Sequence, residues 1–176
     1  MISAVLMLLQ AAAPAAVAPL GPWVLRTRTD AASGSVATSA SATARDGSSR
    51  MVLRCDRVSD PVVSLQFITK QVLANDDKGA FAEKPVSVRF DNGPAIEYNW
   101  EFTATAAYIR DSAAVTALVV ELAKAKEVKV STTNATKFVF EGTIDGPAGN
   151  AAIGQVLTAC GYVLGQVPVP AAAPKK

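Results

Sequence analysis

Between residues 51 and 102 hydrophobic and polar positions alternate with a period of two. Met51, Leu53 and Cys55 fall on one side of their segment, Arg54 and Asp56 on the other. After the break at Ser59-Asp60-Pro61, Val63, Leu65 and Phe67 alternate with Ser64 and Gln66. Such alternation marks strands with one buried face, and the two segments predict an antiparallel hairpin. A second hairpin follows in VSVRFDNGPAIEYNW, residues 86–100. Val86, Val88 and Phe90 form one inner face; Ile96, Tyr98, Trp100 and Phe102 form its continuation. Asn92-Gly93 tolerates positive φ. Pro94 cannot donate to a ladder, so the predicted turn is longer than two residues.

The pattern switches twice to helical spacing. Val115, Leu118, Val119 and Leu122 recur at i, i+3, i+4 and i+7, which predicts a helix over Ser112–Lys126 capped by Asp111 or Ser112. Ile153, Val156, Leu157 and Cys160 repeat the spacing and predict a second helix over Ala148–Ala159. Shorter strands are expected at Trp23–Thr29, Ala104–Tyr108, Glu127–Ser131 and Lys137–Glu141, the last with Phe138 and Phe140 on one face. Thr132-Thr133-Asn134 reads as a turn and Gly142 to Gly149 as a connection. Ala31 to Ala44 is small and polar. It reads either as a low-complexity linker or, at Val36–Ala40, as a weak edge strand. Arg45-Asp46-Gly47-Ser48 gives a turn.

Lys70 to Lys84 is the longest connection and a candidate partner-binding loop. At the N-terminus, Ile2–Leu9 form an apolar run followed by small residues, the layout of a secretory signal over residues 1–18 with cleavage near residues 15–18. No Lys or Arg precedes the run. The run is too short for a span of about 20 residues. One domain is expected over residues 22–165, and the proline-bearing residues 166–176 read as a disordered tail.

The chain contains 176 residues and is 50% hydrophobic, enough for a substantial core. Charged residues are only 18% and the formal net charge is +2. No clustered basic run is visible, so no nucleic-acid partner is expected. Histidine is absent. That removes Ser-His-Asp and Cys-His mechanisms and any histidine-based metal site. No cofactor or metal set is apparent, and no glycine-rich phosphate loop. Asn134-Ala135-Thr136 matches a glycosylation acceptor.

Two cysteines remain, Cys55 and Cys160. In an oxidising compartment such a pair usually bridges; two buried thiols are the alternative. Cys55 lies on the inner face of a strand and Cys160 ends the inner face of a helix. A bridge would staple that helix to the sheet and, in the chain-entropy model, stabilise by about 4–5 kcal/mol.

Asp91 and Glu97 flank one turn, and paired carboxylates can hydrolyse glycosidic bonds. The plainer reading is that they keep a hairpin tip hydrated. Arg89, Asp91, Glu97 and Glu101 would share the outer face, either as cross-strand ion pairs or as a partner-binding patch. Trp23 and Trp100 are either stacking platforms or core residues, and the company of Tyr98 and Phe102 favours core for Trp100.

From about residue 50 the segments LRCD, VVSLQF, VRFDNGPA, YNW, LVVELAKAKEV, FVFEGTIDG and AIGQVLTAC follow in order. This order resembles that of small bacterial periplasmic proteins associated with type VI secretion, and is similar to that of the invasion-associated locus B family, over about residues 50–162. The resemblance implies an exported accessory protein with a β-rich fold and no known enzymatic activity. It also supports the Cys55–Cys160 bridge, and it carries no catalytic residues. The Ala31–Ala44 stretch and the proline-rich tail depart from it.

The expected fold is therefore α+β, a mostly antiparallel twisted sheet packed by two helices and stapled by one disulfide. The expected function is that of an exported, non-catalytic periplasmic or secreted module, binding another envelope protein or a cell-wall component. The alternative is a carboxylate-dependent glycan hydrolase using Asp91 and Glu97.

Overall fold

The computed structural model describes residues 22–57, 60–73, 82–134, 136–149 and 151–166. The expected signal segment, most of the Lys70–Lys84 loop and the tail beyond Gln166 lie outside the described residues. The described elements are, in chain order, β1 (Val24–Thr29), β2 (Val36–Thr43), β3 (Ser49–Arg57), β4 (Pro61–Thr69), β5 (Glu83–Phe90), β6 (Ala95–Phe102), β7 (Ala106–Ile109), α1 (Ser112–Lys124), β8 (Glu127–Thr133), β9 (Val139–Asp145) and α2 (Ala151–Ala159).

The fold is α+β, as the pattern implied. A single nine-stranded antiparallel sheet runs β1-β2-β3-β4-β7-β6-β5-β8-β9. Both expected hairpins form: Cys55 pairs with Val63 and Leu53 with Leu65, while Val86 pairs with Tyr98 and Val88 with Ile96. The sheet curls until its last strand meets its early half. A Cβ on Gly142 in β9 would lie 2.5 Å from the Ser49 hydroxyl of β3 and 3.1 Å from the Phe67 ring of β4. Only glycine lets the two layers approach that closely. Arg45, in the β2–β3 turn, clasps the seam. Its backbone N–H donates to the Thr143 carbonyl at 2.9 Å, and its guanidinium holds Asp145 at 2.6 Å and Glu127 at 2.7 Å.

Inside the curl lies one core. Met51, Leu53, Leu65, Phe67, Trp100, Phe102, Leu118, Leu122, Ile144 and Ile153 are all fully buried. Both tryptophans are core residues. The Trp23 indole donates to the Asp145 carbonyl at 2.9 Å, and Trp100 is fully buried. Cys55 and Cys160 are bonded, with Cα atoms 5.7 Å apart, and join β3 to the end of α2. Of the two alternatives for this cysteine pair, the bridge forms and the two buried thiols do not. Among the described residues no helix is long and apolar enough to cross a membrane.

Several expected boundaries shift, each for a local reason. Residues 36–43 are neither linker nor sheet edge: β2 is flanked by β1 and β3. Its small inward residues, Thr38, Ala40 and Ala42, are buried where α2 packs over β2 and β3. Asp111, not Ser112, caps α1, accepting from the Ala114 N–H at 2.9 Å. The helix stops at Lys124 rather than Lys126, because the Asp91 carboxylate draws the Lys126 and Glu127 N–H groups away, each at 2.9 Å. Thr132 and Thr133 belong to β8, not to a turn. The turn begins at Asn134, whose side-chain oxygen accepts from the Thr136 and Phe138 N–H groups at 3.0 Å. That oxygen also takes the Thr136 hydroxyl, and Asn134 is buried, so the glycosylation match falls on a structural turn residue.

Phe138 does not join Phe140 in the core. It precedes β9, is 54% exposed, and meets the Phe140 ring edge-to-face at 5.0 Å. Lys137 before it has φ 64° and closes the turn, its N–H donating to the Asn134 carbonyl at 3.1 Å. The expected connection from Gly142 is strand as far as Asp145. The expected start of α2 at Ala148 fails because Ala148 and Gly149 have φ 52° and 115°, outside the helical range.

Candidate functional site

The outward residues of β1 to β4 form a groove of about 1030 Å³. Its floor is set by β2, where Ala37, Ser39 and Ser41 point outward and carry almost no side-chain bulk. Its walls are higher because the flanking strands carry long side chains. Arg26 and Arg28 stand on β1; Arg50, Val52, Arg54 and Asp56 on β3; Gln66 and Ile68 on β4. Register places Arg26 and Arg54 on either side of Ser39, and Arg28 and Asp56 on either side of Ala37. One further row carries Ser41, Val52 and Gln66, and the next Thr43, Arg50 and Ile68.

One end of the groove is closed by the β1–β2 turn, where Asp30, Ala31 and Ser35 line it. The Asp30 carboxylate is spent on that turn. It accepts from the Ser33 N–H at 2.8 Å, the Ser33 hydroxyl at 2.9 Å and the Ala32 N–H at 3.0 Å. These bonds, the Ser33 N–H foremost, hold its pKa below the usual carboxylate range. Arg54 is paired with Asp56 at 2.6 Å. Arg26, Arg28 and Arg50 have no carboxylate within ion-pair distance among the described residues. The groove is therefore cationic, polar and free of aromatic lining.

The sequence shows no clustered basic run, yet the fold assembles a basic face. Arg26, Arg28, Arg50 and Arg54 are scattered along the chain, and only the pairing of β1, β2 and β3 collects them. A signal was present in their parity. Arg26 and Arg28 alternate on one strand, and Arg50 and Arg54 both fall opposite the inward set Met51, Leu53 and Cys55.

The hairpin face named from the sequence is less coherent. Arg89 and Glu97 are exposed on the outer side of β5 and β6. Arg89 stands opposite Ala95 and Lys129, and Glu97 opposite Ser87. Glu101 is turned to a different neighbour: it binds Arg110 at 2.9 Å and accepts from the Tyr108 hydroxyl at 2.9 Å. Burial, and then this carboxylate, push the Tyr108 pKa up. The expected cross-strand pairing of Arg89 with Glu97 or Glu101 is not formed. Asp91 leaves the strand altogether. It has φ 50° and its carboxylate caps the α1–β8 connection.

Asp91 and Glu97 are thus not brought together. Asp91 reaches toward β8, on one side of β5, whereas Glu97 sits on β6, on the other. Register also separates Glu97, opposite Ser87, from Asp91 by four positions, about 13 Å along the strands. Carboxylates of a glycosidase stand closer than that. A second, smaller depression of about 350 Å³ is lined by Glu83, Tyr98, Glu101, Tyr108, Arg110 and Asp111 among others. Two of its acids already have partners: Glu101 in Arg110 and Asp111 in the helix cap. Among the described residues no group of three or more acids and cysteines has metal-binding geometry.

Sheet, disulfide and groove together define a class: a disulfide-stapled antiparallel α+β module with a recessed cationic face. Compared with known protein families, with curated proteins and with solved structures, the chain has no match.

Proposed function

We propose that this chain is an exported, non-catalytic envelope protein that binds its partner through the outer face of β1–β4. The observation that carries the reading is the groove itself, in which, among the described residues, Arg26 and Arg50 have no carboxylate partner and Arg28 has only the nearby Asp30, already spent on its turn, over a floor of small residues. Unpaired guanidinium groups beside a recess favour an anionic ligand, because bidentate charge-assisted hydrogen bonds are among the stronger polar contacts. The bridge between Cys55 and Cys160 supports residence in an oxidising compartment such as the periplasm. The apolar run at Ile2–Leu9 supports export with cleavage. The resemblance of the motif order to that of periplasmic type VI secretion-associated and invasion-associated locus B proteins is a further, weaker support for an accessory role.

An NMR titration of the full chain with heparin, used as a generic polyanion, tests the site. Shifts are expected at Ser39, Ser41, Arg54 and Gln66. Shifts confined to Arg89 and Glu97 would move the binding face to the hairpin, and binding with no perturbation on β1–β4 defeats the proposal. Fractionation of the expressed chain tests its location: the mature protein is expected in the periplasmic fraction, beginning after Ala15 or Ala18.

A further inference from the structure

We infer that the groove takes an extended, carboxylate-bearing glycan, an inference that rests on β1–β4 being the binding face. Its shape is the first argument. The arginines are spread along the groove rather than focused on one point. From the row of Arg28 to the row of Arg50 is three steps of two residues, about 20 Å along the strands. A single small anion would use one of these guanidinium groups; a linear polyanion can use them in succession.

The lining is the second argument. Between the arginines stand Ser39, Ser41 and Gln66, groups that donate and accept hydrogen bonds and match a polyol. The charges match carboxylates, which accept both arms of a guanidinium. The other polyanions fit less well. Single-strand nucleic-acid binders add aromatic stacking platforms to a basic groove, and no aromatic side chain lines this one. A membrane surface is flat, while this charge is recessed, and the exposed valines of the same face, Val24 and Val62, stand in different rows and form no continuous rim. An acidic peptide would add most readily as a strand at the free edge of β1, but Arg26 and Arg28 project from the face, over β2.

The test uses the full, oxidised chain at low salt and four probes of matched length: oligogalacturonate, neutral dextran, poly-glutamate and oligodeoxythymidylate. Oligogalacturonate is expected to bind best, by about tenfold or more over each of the others. Arg26→Ala with Arg28→Ala should weaken it about tenfold or more, and added salt should weaken it further. Ser39→Val with Ser41→Val fills the floor with residues suited to strands, and should reduce oligogalacturonate binding while circular dichroism stays unchanged. If poly-glutamate or the oligonucleotide binds as well as oligogalacturonate through the same arginines, the glycan assignment is overturned and the cationic groove stands. If no anionic probe binds, or binding is indifferent to both pairs of substitutions, the groove itself is overturned.

Discussion

One carboxylate oxygen of Asp91 holds the backbone N–H groups of Lys126 and of Glu127, each at 2.9 Å. A residue that the sequence offers as half of an acid pair is instead the clamp that ends α1 and starts β8. Asp91→Ala removes the acceptor and also places a non-polar residue at φ 50°. It should destabilise the fold by about 1–3 kcal/mol, read from urea denaturation. Asp91→Asn keeps an acceptor and tolerates that backbone, and should cost clearly less. Equal losses in the two variants would show that the clamp is not what stabilises the site.

Gly142 is required by its neighbours rather than by its backbone. Gly142→Ala would press a methyl group against the Ser49 hydroxyl and the Phe67 ring, at a cost of about 1–3 kcal/mol. The Ser49 hydroxyl is buried without a hydrogen-bond partner among the described residues. Ser49→Ala alone should therefore be close to neutral, and combined with Gly142→Ala it should recover part of the loss. A strictly additive double variant in thermal melts would remove the claimed contact.

Cys55 and Cys160 close a loop with a sequence separation of 105 residues. Replacing both by alanine should lower stability by up to about 4–5 kcal/mol, less if the reduced chain retains structure. Denaturation midpoints of oxidised, reduced and double-alanine protein check this. Two titratable thiols in the oxidised sample would refute the bridge.

Glu127 sits between Lys129, at 3.3 Å, and Arg45, at 2.7 Å. The Lys129 ammonium first, and Arg45 second, hold its pKa below the ordinary glutamate value of 4.5. A group whose folded pKa is depressed stabilises the protein above the unfolded value, and that contribution is lost as the pH falls through the folded value. NMR titration should therefore find Glu127 protonating below 4.5. Lys129→Ala should raise its pKa, and Arg45→Ala should do the same and loosen the seam to Asp145. A Glu127 that titrates identically in all three proteins would show that these pairs do not persist in water.

The parts of the fold that the sequence disclosed are those governed by local periodicity. Met51 to Cys55, Val63 to Phe67 and Val115 to Leu122 each declare which side is buried, so strand and helix follow from short windows, while the bridge rested on there being a single cysteine pair, both on inner faces, in a chain expected to be exported. Ala37, Ser39 and Ser41 gave no such signal, since small residues satisfy a linker as well as a strand. Their place in the sheet depends on α2 packing against β2, a contact across more than a hundred residues of chain. The groove was hidden for the same reason. Which arginines become neighbours is decided by strand register, and alternation fixes a face without fixing a partner. Asp91 was misleading because its hydrogen bonds go to a segment 35 and 36 residues away.

The covalent loop begins within β3, so β1 and β2 lie outside it. The strands that carry Arg26, Arg28 and the groove floor are held by non-covalent ties alone: backbone pairing, packing under α2, the bond from Trp23 to the Asp145 carbonyl and the Arg45 clasp. Amide exchange with solvent should therefore be faster on β1 and β2 than on β3, β4 and β8, because sub-global opening can release them while the stapled remainder stays folded. A ligand lying across β1 to β4 would tie the unstapled strands to the stapled ones and slow that exchange. Occupancy of the groove would then be readable far from the ligand, as protection of the β1–β2 ladder.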